Sequence, residues 1–244
     1  MSPVVERELL VAFLEATRSE PVAEENLRAY VRTSSVALEN FLEGLARNGL
    51  VSEKKGLLEA SPAQRLRLAV RAVDAGGDVE RVGRALGWLE FEDMVAHIFE
   101  ENGFFTRRRF RFKARGRRWE IDVLAFRRPL VVCVECKHWT SGLGNSSALK
   151  TAKAHLEKVK VFSEELPEYA DDLRVRGWGR VYAIPTAMSL TRPLKRFYER
   201  VPTVFILELP SFLSDLEGYL SDLASFSVEL PPSKPKPFQV TFRS

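Results

Sequence analysis

The sequence has only two cysteines, Cys133 and Cys136, among its 244 residues. They form a C-x-x-C string, a spacing that marks redox or zinc sites in other proteins. Here the string lies inside VVCVECK, an apolar run typical of a β-strand, where residues three apart point to opposite faces. Because no second cysteine pair could complete a zinc site, both residues are expected to be small, buried core residues.

Long hydrophobic runs are also absent. The longest, such as Leu130 to Val134, are far too short to cross a bilayer. Glu6 and Glu8 interrupt the N-terminus early, unlike the basic-then-apolar pattern of a signal peptide. Apolar residues are 45% and charged residues 29% of the chain, enough for one large domain or two modest ones. We therefore expect a cytoplasmic protein with no membrane association.

The net charge of +4 is only mildly basic, but the basic residues are concentrated in one stretch. Eight of the twelve residues from 107 to 118 are basic: Arg107, Arg108, Arg109, Arg111, Lys113, Arg115, Arg117 and Arg118. Such a stretch suits a polyanion and predicts contact with DNA. The alternative is a solvated hairpin whose charges bind nothing in particular.

The helices and strands predicted for residues 1–60 follow the order of a winged helix-turn-helix domain. Apolar spacing predicts helices over 3–19, 23–33 and from Ser34 or Ser35 to Asn48, followed by strand-like pieces at 50–52 and 56–59. The third helix would face a DNA groove, with Lys54 and Lys55 on the wing. Dimerisation or packing on another protein is the alternative for this segment.

The remaining chain divides into three parts. Residues 61–88 are predicted to form a helical connector, with one helix that begins at Pro62 and another at Asp78. Residues 89–210 predict an α/β domain with helices at 90–102, 147–166 and 193–200, and strands at 104–113, 118–126, 130–136, 179–185 and 204–209. Residues 211–244 predict a helix over 212–223 and a Pro-rich tail. The order from residue 89 is α-β-β-β-α-β, with a mixed central sheet flanked by helices.

The two strands 118–126 and 130–136 carry the most informative residues. A hairpin turn at Arg128-Pro129 that pairs Phe126 with Val131 places Asp122 directly opposite Glu135. Lys137 lies two residues beyond Glu135 and shares its face. Opposed carboxylates repel each other in such a hydrophobic strand, and a divalent cation such as Mg²⁺ would compensate. The alternative is an ion-pair network on a solvated sheet face.

These residues resemble the PD-(D/E)xK nuclease superfamily, and within it the Mrr-like restriction endonucleases and archaeal Holliday-junction resolvases. The resemblance rests on Phe91-Glu92, on Ile121-Asp122-Val123-Leu124, on Val134-Glu135-Cys136-Lys137, and on the element order over about residues 89–210. Two positions depart from the pattern. Ile121 stands where the motif has proline, and Glu135 stands where Mrr-like members usually carry glutamine, which leaves the subgroup open.

The resemblance implies a DNA endonuclease of restriction or of repair and recombination type. Asp122 and Glu135 would bind Mg²⁺ or Mn²⁺, Lys137 would serve the attacking water, and Glu92 would be the helix acid. Lys150 and Lys153 would border the DNA, and a homodimer is expected by analogy. His138 and the loop from Gly142 to Asn145 also lie near this centre in sequence. The alternatives are a catalytically inactive DNA-binding or regulatory protein that keeps the fold, and a protein-interaction adaptor.

Overall fold

The computed structural model describes residues 3–31, 33–137 and 145–233. The helices are α1 Pro3–Ala16, α2 Glu24–Leu27, α3 Ser35–Arg47, α4 Pro62–Asp74, α5 Val79–Leu86, α6 Trp88–Glu101, α7 Asn145–Glu165 and α8 Leu209–Asp215. The strands are β1 Val22–Ala23, β2 Ser52–Lys54, β3 Leu57–Glu59, β4 Phe105–Ala114, β5 Arg117–Arg127, β6 Leu130–Lys137, β7 Arg180–Ser189, β8 Phe197–Tyr198, β9 Val201–Phe205 and β10 Phe226–Glu229.

The N-terminal segment combines helices with a small antiparallel sheet of order β1-β3-β2. Ser34 begins α3 as predicted, because its hydroxyl accepts a hydrogen bond from the Ala37 N–H. The hairpin of β2 and β3 turns at Lys55-Gly56, where both residues have positive φ. The helix predicted over 23–33 is shorter than expected. Residues 22–23 pair with β3, α2 and a 3-10 turn at Arg28–Tyr30 follow, and the extended backbone of Val31 ends the helical segment.

Residues 61–88 form α4 and α5, as the capping signals predicted. Ser61 and Gln64 make a reciprocal capping box, and Pro62 occupies the first turn of α4. Both helices pack on α1. One hydrophobic core continues from α1 through these helices into α6 and the central sheet. Within the described ranges, no helix is long and apolar enough to span a bilayer.

The central sheet is mixed, with strand order β4-β5-β6-β7-β9-β8 and β10 added along β7. The β4-β5-β6 part is antiparallel, whereas β6-β7 and β7-β9 are parallel. The order α6-β4-β5-β6-α7-β7 confirms the predicted α-β-β-β-α-β core. A single buried strand, β6, therefore joins the antiparallel hairpin to the parallel half of the sheet.

The two faces of the sheet are covered by different helices. Val132, Val134 and Cys136 pack in the core that contains α6 and α8, whereas Val131 and Cys133 pack against α7. Both cysteines are free and buried, and they lie in different cores. This confirms that their side chains diverge. Since side chains alternate along a strand, Glu135 and Lys137 belong to the α7 face.

Several predicted elements near the C-terminus are wrong. The helix expected over 193–200 is replaced by irregular backbone at 193–196 and by β8, after which Glu199 and Arg200 adopt positive φ and reverse the chain into β9. The strand expected over 204–209 is β9 at 201–205 with a 3-10 turn after it. The helix expected over 212–223 ends at Asp215 as α8. Strand β10, which was not predicted, follows.

Candidate active site

The β5–β6 ladder brings Asp122 and Glu135 together. Phe126 pairs with Val131 and Val123 with Val134, and Asp122 and Glu135 are the next residues beyond that last pair. The Cys136 backbone N–H donates a hydrogen bond of 2.7 Å to Asp122 Oδ2. This contact crosses between the two strands and fixes the Asp122 carboxylate beside Glu135.

Lysines bind both oxygens of the Glu135 carboxylate. Lys137 Nζ lies 2.7 Å from Oε1, and Lys158 Nζ donates to Oε2 from helix α7. Glu135 is only 7% exposed. Burial by itself raises its pKa, but the interactions with His155, Lys158 and Lys137 outweigh burial and bring the pKa to about 2. Glu135 is therefore ionised at neutral pH.

His155 on α7 is the second group that faces Glu135 Oε2. Its Nδ1 lies 3.6 Å from that oxygen, and its Nε2 is 2.8 Å from the Cys133 carbonyl oxygen. Burial lowers the His155 pKa to about 4, so the ring is neutral at neutral pH. Because a carbonyl can only accept, Nε2 carries the hydrogen, and Nδ1 is left without a hydrogen-bond partner among the described residues.

The pKa of Asp122 is shifted in the opposite direction from that of Glu135. Burial and then the negative charge of Glu135 raise its pKa to about 6, and the Cys136 N–H only partly opposes them. The two carboxylates thus have widely separated pKa values. Such a separation is found at many catalytic sites, although structural networks also produce it.

Lys137 remains an ammonium at neutral pH. Burial lowers its pKa, but the Glu135 carboxylate more than compensates, so the pKa lies above its usual value. The side chain is 39% exposed, at the rim of the site. In the β6–β7 ladder Lys137 is paired with Ser189, whose hydroxyl accepts a hydrogen bond from the Thr191 N–H. Because the Lys137 side chain is partly exposed, its ammonium can contact a ligand that approaches from solvent.

Glu92 lies on α6, which packs on the other face of the sheet. Its carboxylate is bound by Arg109 Nη1 at 3.1 Å, and Arg109 also binds Asp93 at 3.3 Å. Burial raises the Glu92 pKa despite the arginine. The negative charge of Glu92 also contributes to the raised pKa of Asp122. Glu92 therefore borders the pair but is held by Arg109.

Sequence reasoning missed the contributions of His155, Lys158 and Arg109 to this centre. A signal for the first two was present. His155 and Lys158 lie three residues apart on α7, on the face that also carries Ala152 and Val159, whereas the prediction concentrated on Lys150 and Lys153. No signal marked Arg109, because its role depends on how α6 packs against β4.

The basic stretch on β4 and β5 is largely paired with carboxylates. Arg107 binds Asp172, Arg108 binds Asp93 and Glu100, Arg109 binds Glu92 and Asp93, Arg111 binds Glu120, and Arg115 binds Glu157 and Glu164. Arg117 stacks on Trp119. Lys113 and Arg118 face each other across the ladder, exposed and without a carboxylate partner in the described parts of the chain. These two are the cations most available to a polyanion.

The other predicted DNA-contacting lysines are exposed. Lys153 lies 3.5 Å from Glu199, and Lys150 lies on the same helix. In the N-terminal segment Lys54 binds Glu59, and Lys55 lies at the hairpin turn. His138 and residues 142–144 lie outside the described residues, as do residues 234–244 of the Pro-rich tail.

The donor set at this centre fits a hard divalent cation. Asp122 and Glu135 offer two carboxylates, and Mg²⁺ is commonly held by one or two carboxylates while keeping several waters. Over residues 3–31, 33–137 and 145–233, no group of three or more His, Cys, Asp or Glu side chains is close enough to enclose a metal. Asp122 and Glu135 are therefore the two carboxylates that could contribute to a cation site here.

The segment that contains Asp122 and Glu135 is similar to known proteins. A family model described as restriction endonuclease, Mrr_cat, matches residues 84–162, which run from α5 through α6 and the β4–β6 hairpins to α7. An uncharacterised protein of Archaeoglobus fulgidus is 32% identical over 136 residues, 55% of this chain and 95% of that protein.

Two solved structures show weaker similarity. Protein VC1899 from Vibrio cholerae has a TM-score of 0.37 and 15% identity, and the chain spans 53% of its length while 91% of this chain is covered. The restriction endonuclease FokI has a TM-score of 0.35 and 10% identity, with 88% of this chain and 44% of that chain covered. At these scores nothing about function follows from either.

The family match spans the hairpin that opposes Asp122 to Glu135, and the element order around it is that of the nuclease core. The fold thus agrees with the family match. Residues 84–162 therefore belong to the Mrr-like restriction endonuclease family of the PD-(D/E)xK nuclease superfamily.

Proposed function

We propose that this protein is a metal-dependent DNA endonuclease that hydrolyses phosphodiester bonds at Asp122, Glu135 and Lys137. The observation that carries the proposal is the closeness of two carboxylates of very different pKa, with an ammonium 2.7 Å from one of them, inside the family-matched segment. A buried strand is an unfavourable place for such charges unless they are paired or bind a ligand.

Each residue has a role that follows from its contacts. Asp122, held by the Cys136 N–H, and Glu135 would bind Mg²⁺ or Mn²⁺. When bound, the ion supplies Lewis-acid polarisation of the phosphate and an activated water. Lys137 remains protonated, so it would stabilise negative charge that develops on the phosphate rather than accept a proton. Glu92 would support this centre from α6.

The charge distribution favours the nuclease part of the chain as the DNA-binding surface. Residues 1–60 contain ten acidic and seven basic side chains, whereas the remainder contains 23 acidic and 30 basic ones. The exposed face of α3 carries Glu39 and Glu43. We therefore propose that the chain is divided into segments 1–60, 61–88, 89–210 and 211–244. The winged-helix-like first segment would contact protein. Cations of the third segment, such as Lys113, Arg118 and Lys150, would contact DNA phosphates.

The test uses the full chain, supercoiled and linear duplex DNA, and Mg²⁺ or EDTA. Asp122→Ala, Glu135→Ala and Lys137→Ala should each abolish Mg²⁺-dependent cleavage while largely keeping DNA binding. Glu168→Ala, on an exposed acidic residue in the turns that follow α7, is the matched control and should cleave normally. Retained cleavage by any one of the three site variants would remove the proposed mechanism.

One observation favours a second candidate, a catalytically inactive DNA-binding protein that keeps the fold. Both oxygens of Glu135 are already bound by lysines. If these ion pairs are permanent, no metal enters. In that case the wild-type protein binds DNA, shows no change in melting temperature with Mg²⁺ or Mn²⁺, and leaves DNA intact.

A further inference from the structure

Helix α7 presents two nitrogen groups to one oxygen of Glu135. Lys158 donates a hydrogen bond to Oε2, and His155 Nδ1 lies 3.6 Å from the same atom. The His155 side chain is 1% exposed and the Lys158 side chain 18% exposed, so both approach from the packed side of α7. Lys137 reaches the other oxygen from the rim of the sheet.

His155 lies beside the same oxygen but makes no hydrogen bond to it. Its Nε2 donates to the Cys133 carbonyl, and its Nδ1 has no hydrogen-bond partner among the described residues. Lys158 is therefore the group of α7 that binds Glu135 Oε2.

We propose that Lys158 is a positioning residue whose ammonium takes the place of the divalent cation at Glu135 Oε2, and that the incoming metal ion displaces it. This inference rests on the proposed function, because it requires Glu135 to be a metal-binding carboxylate. Lys137 keeps its contact with Oε1 throughout. The ammonium thus holds the Glu135 carboxylate in place before metal binds, and it competes with the metal for the same oxygen.

Removal of Lys158 should therefore have two opposite effects. The metal-free protein should become less stable, because Glu135 loses one of its two lysine partners in a buried position. Divalent cations should bind more tightly, because they no longer displace a bound cation. A residue that only supported the fold would weaken metal binding instead.

The experiment is a titration of the full chain with Ca²⁺ or Mg²⁺ in the absence of DNA, followed by melting temperature. Lys158→Met should bind the ion at a half-saturating concentration lower by about fivefold or more. Lys158→Arg keeps the charge and should resemble the wild type. Lys160→Met, an exposed lysine on the same helix, is the matched control and should not alter the titration.

Where Lys158→Met does not fold, Lys158→Gln gives the same comparison, because a neutral amide donates to Oε2 without a competing charge. Unchanged or weaker metal binding in the neutral variant overturns the role of Lys158 alone, provided that the wild type still cleaves DNA with Mg²⁺. A wild-type protein that neither responds to the ions nor cleaves DNA overturns the proposed function, and this inference with it.

Discussion

Asp122 Oδ2 accepts a hydrogen bond of 2.7 Å from the backbone N–H of Cys136, which lies beside Glu135 on the neighbouring strand. The contact prevents the two carboxylates from moving apart, although their charges repel. Burial and the Glu135 charge consequently raise the pKa of Asp122 to about 6. The fold therefore maintains a repulsion that a bound cation would relieve.

Asp122→Asn should stabilise the metal-free protein at alkaline pH. The folded-state pKa of Asp122 lies above its ordinary value of 3.8, so ionisation destabilises the folded state progressively between about pH 4 and pH 6, and the whole effect is present above that range. The shift corresponds to at most about 3 kcal/mol in the free energy of unfolding. Urea unfolding in EDTA should show the variant more stable at pH 8, with the gain shrinking towards pH 4. Asp215→Asn, on an exposed residue, should show no such gain. An equal effect of Asp122→Asn at both pH values would contradict the assignment.

At position 109 a glycine variant should be more stable than an alanine variant, the reverse of the usual stability order in a strand. Arg109 has a φ of +52° in the middle of β4, where L-residues are strained. Both variants lose the ion pairs to Glu92 and Asp93, but glycine adopts this φ freely. Arg109→Gly should therefore be more stable to urea than Arg109→Ala by about 1 kcal/mol. At Arg111, on the same strand, alanine should be the more stable substitution. Alanine being favoured at both positions would show that the positive φ is not maintained.

Substitution of Arg65, which links the N-terminal helices to α6, should lower the free energy of unfolding. Arg65 is 4% exposed, and its guanidinium donates to Glu90 at 2.7 Å and to the Leu14 and Ala85 carbonyls at 3.0 and 3.1 Å. Arg65→Met leaves these buried acceptors unpaired and should lower the free energy of unfolding by about 3–5 kcal/mol. Arg67→Met, on the exposed side of the same helix, should change it by no more than about 0.5 kcal/mol. Similar losses from both variants in chemical denaturation would rule out the specific role of Arg65.

DNA affinity should depend on Lys113 and Arg118 rather than on Arg115. The first two face each other on the exposed hairpin without carboxylate partners in the described ranges, whereas Arg115 binds Glu157 and Glu164. Each phosphate contact contributes about 0.9 to the slope of log affinity against log salt concentration. The double variant Lys113→Ala/Arg118→Ala should reduce the magnitude of that slope by about 2 in binding assays without Mg²⁺. Arg115→Ala should leave it nearly unchanged, and the reverse pattern would place the DNA elsewhere.

The local parts of this structure were readable from the sequence. Strand periodicity and the Arg128-Pro129 turn gave the register that pairs Phe126 with Val131, and capping residues located α3, α4 and α5. Periodicity failed where the chain reverses on residues with unusual backbone angles, as at Glu199 and Arg200. It also missed β10, a four-residue strand that gains its hydrogen bonds only from β7.

The sequence by itself determined which residues share a strand face, because side-chain alternation and hairpin pairing involve neighbours in the chain. That was enough to bring together two carboxylates and Lys137 and to separate Cys133 from Cys136. Only the tertiary structure decided which charges meet across elements: Lys158 and His155 at Glu135, Arg109 at Glu92, and Arg108 and Arg115 with carboxylates of α6 and α7. The physical reason is that helix position on a sheet is set by the packing of the whole core, which no local pattern encodes.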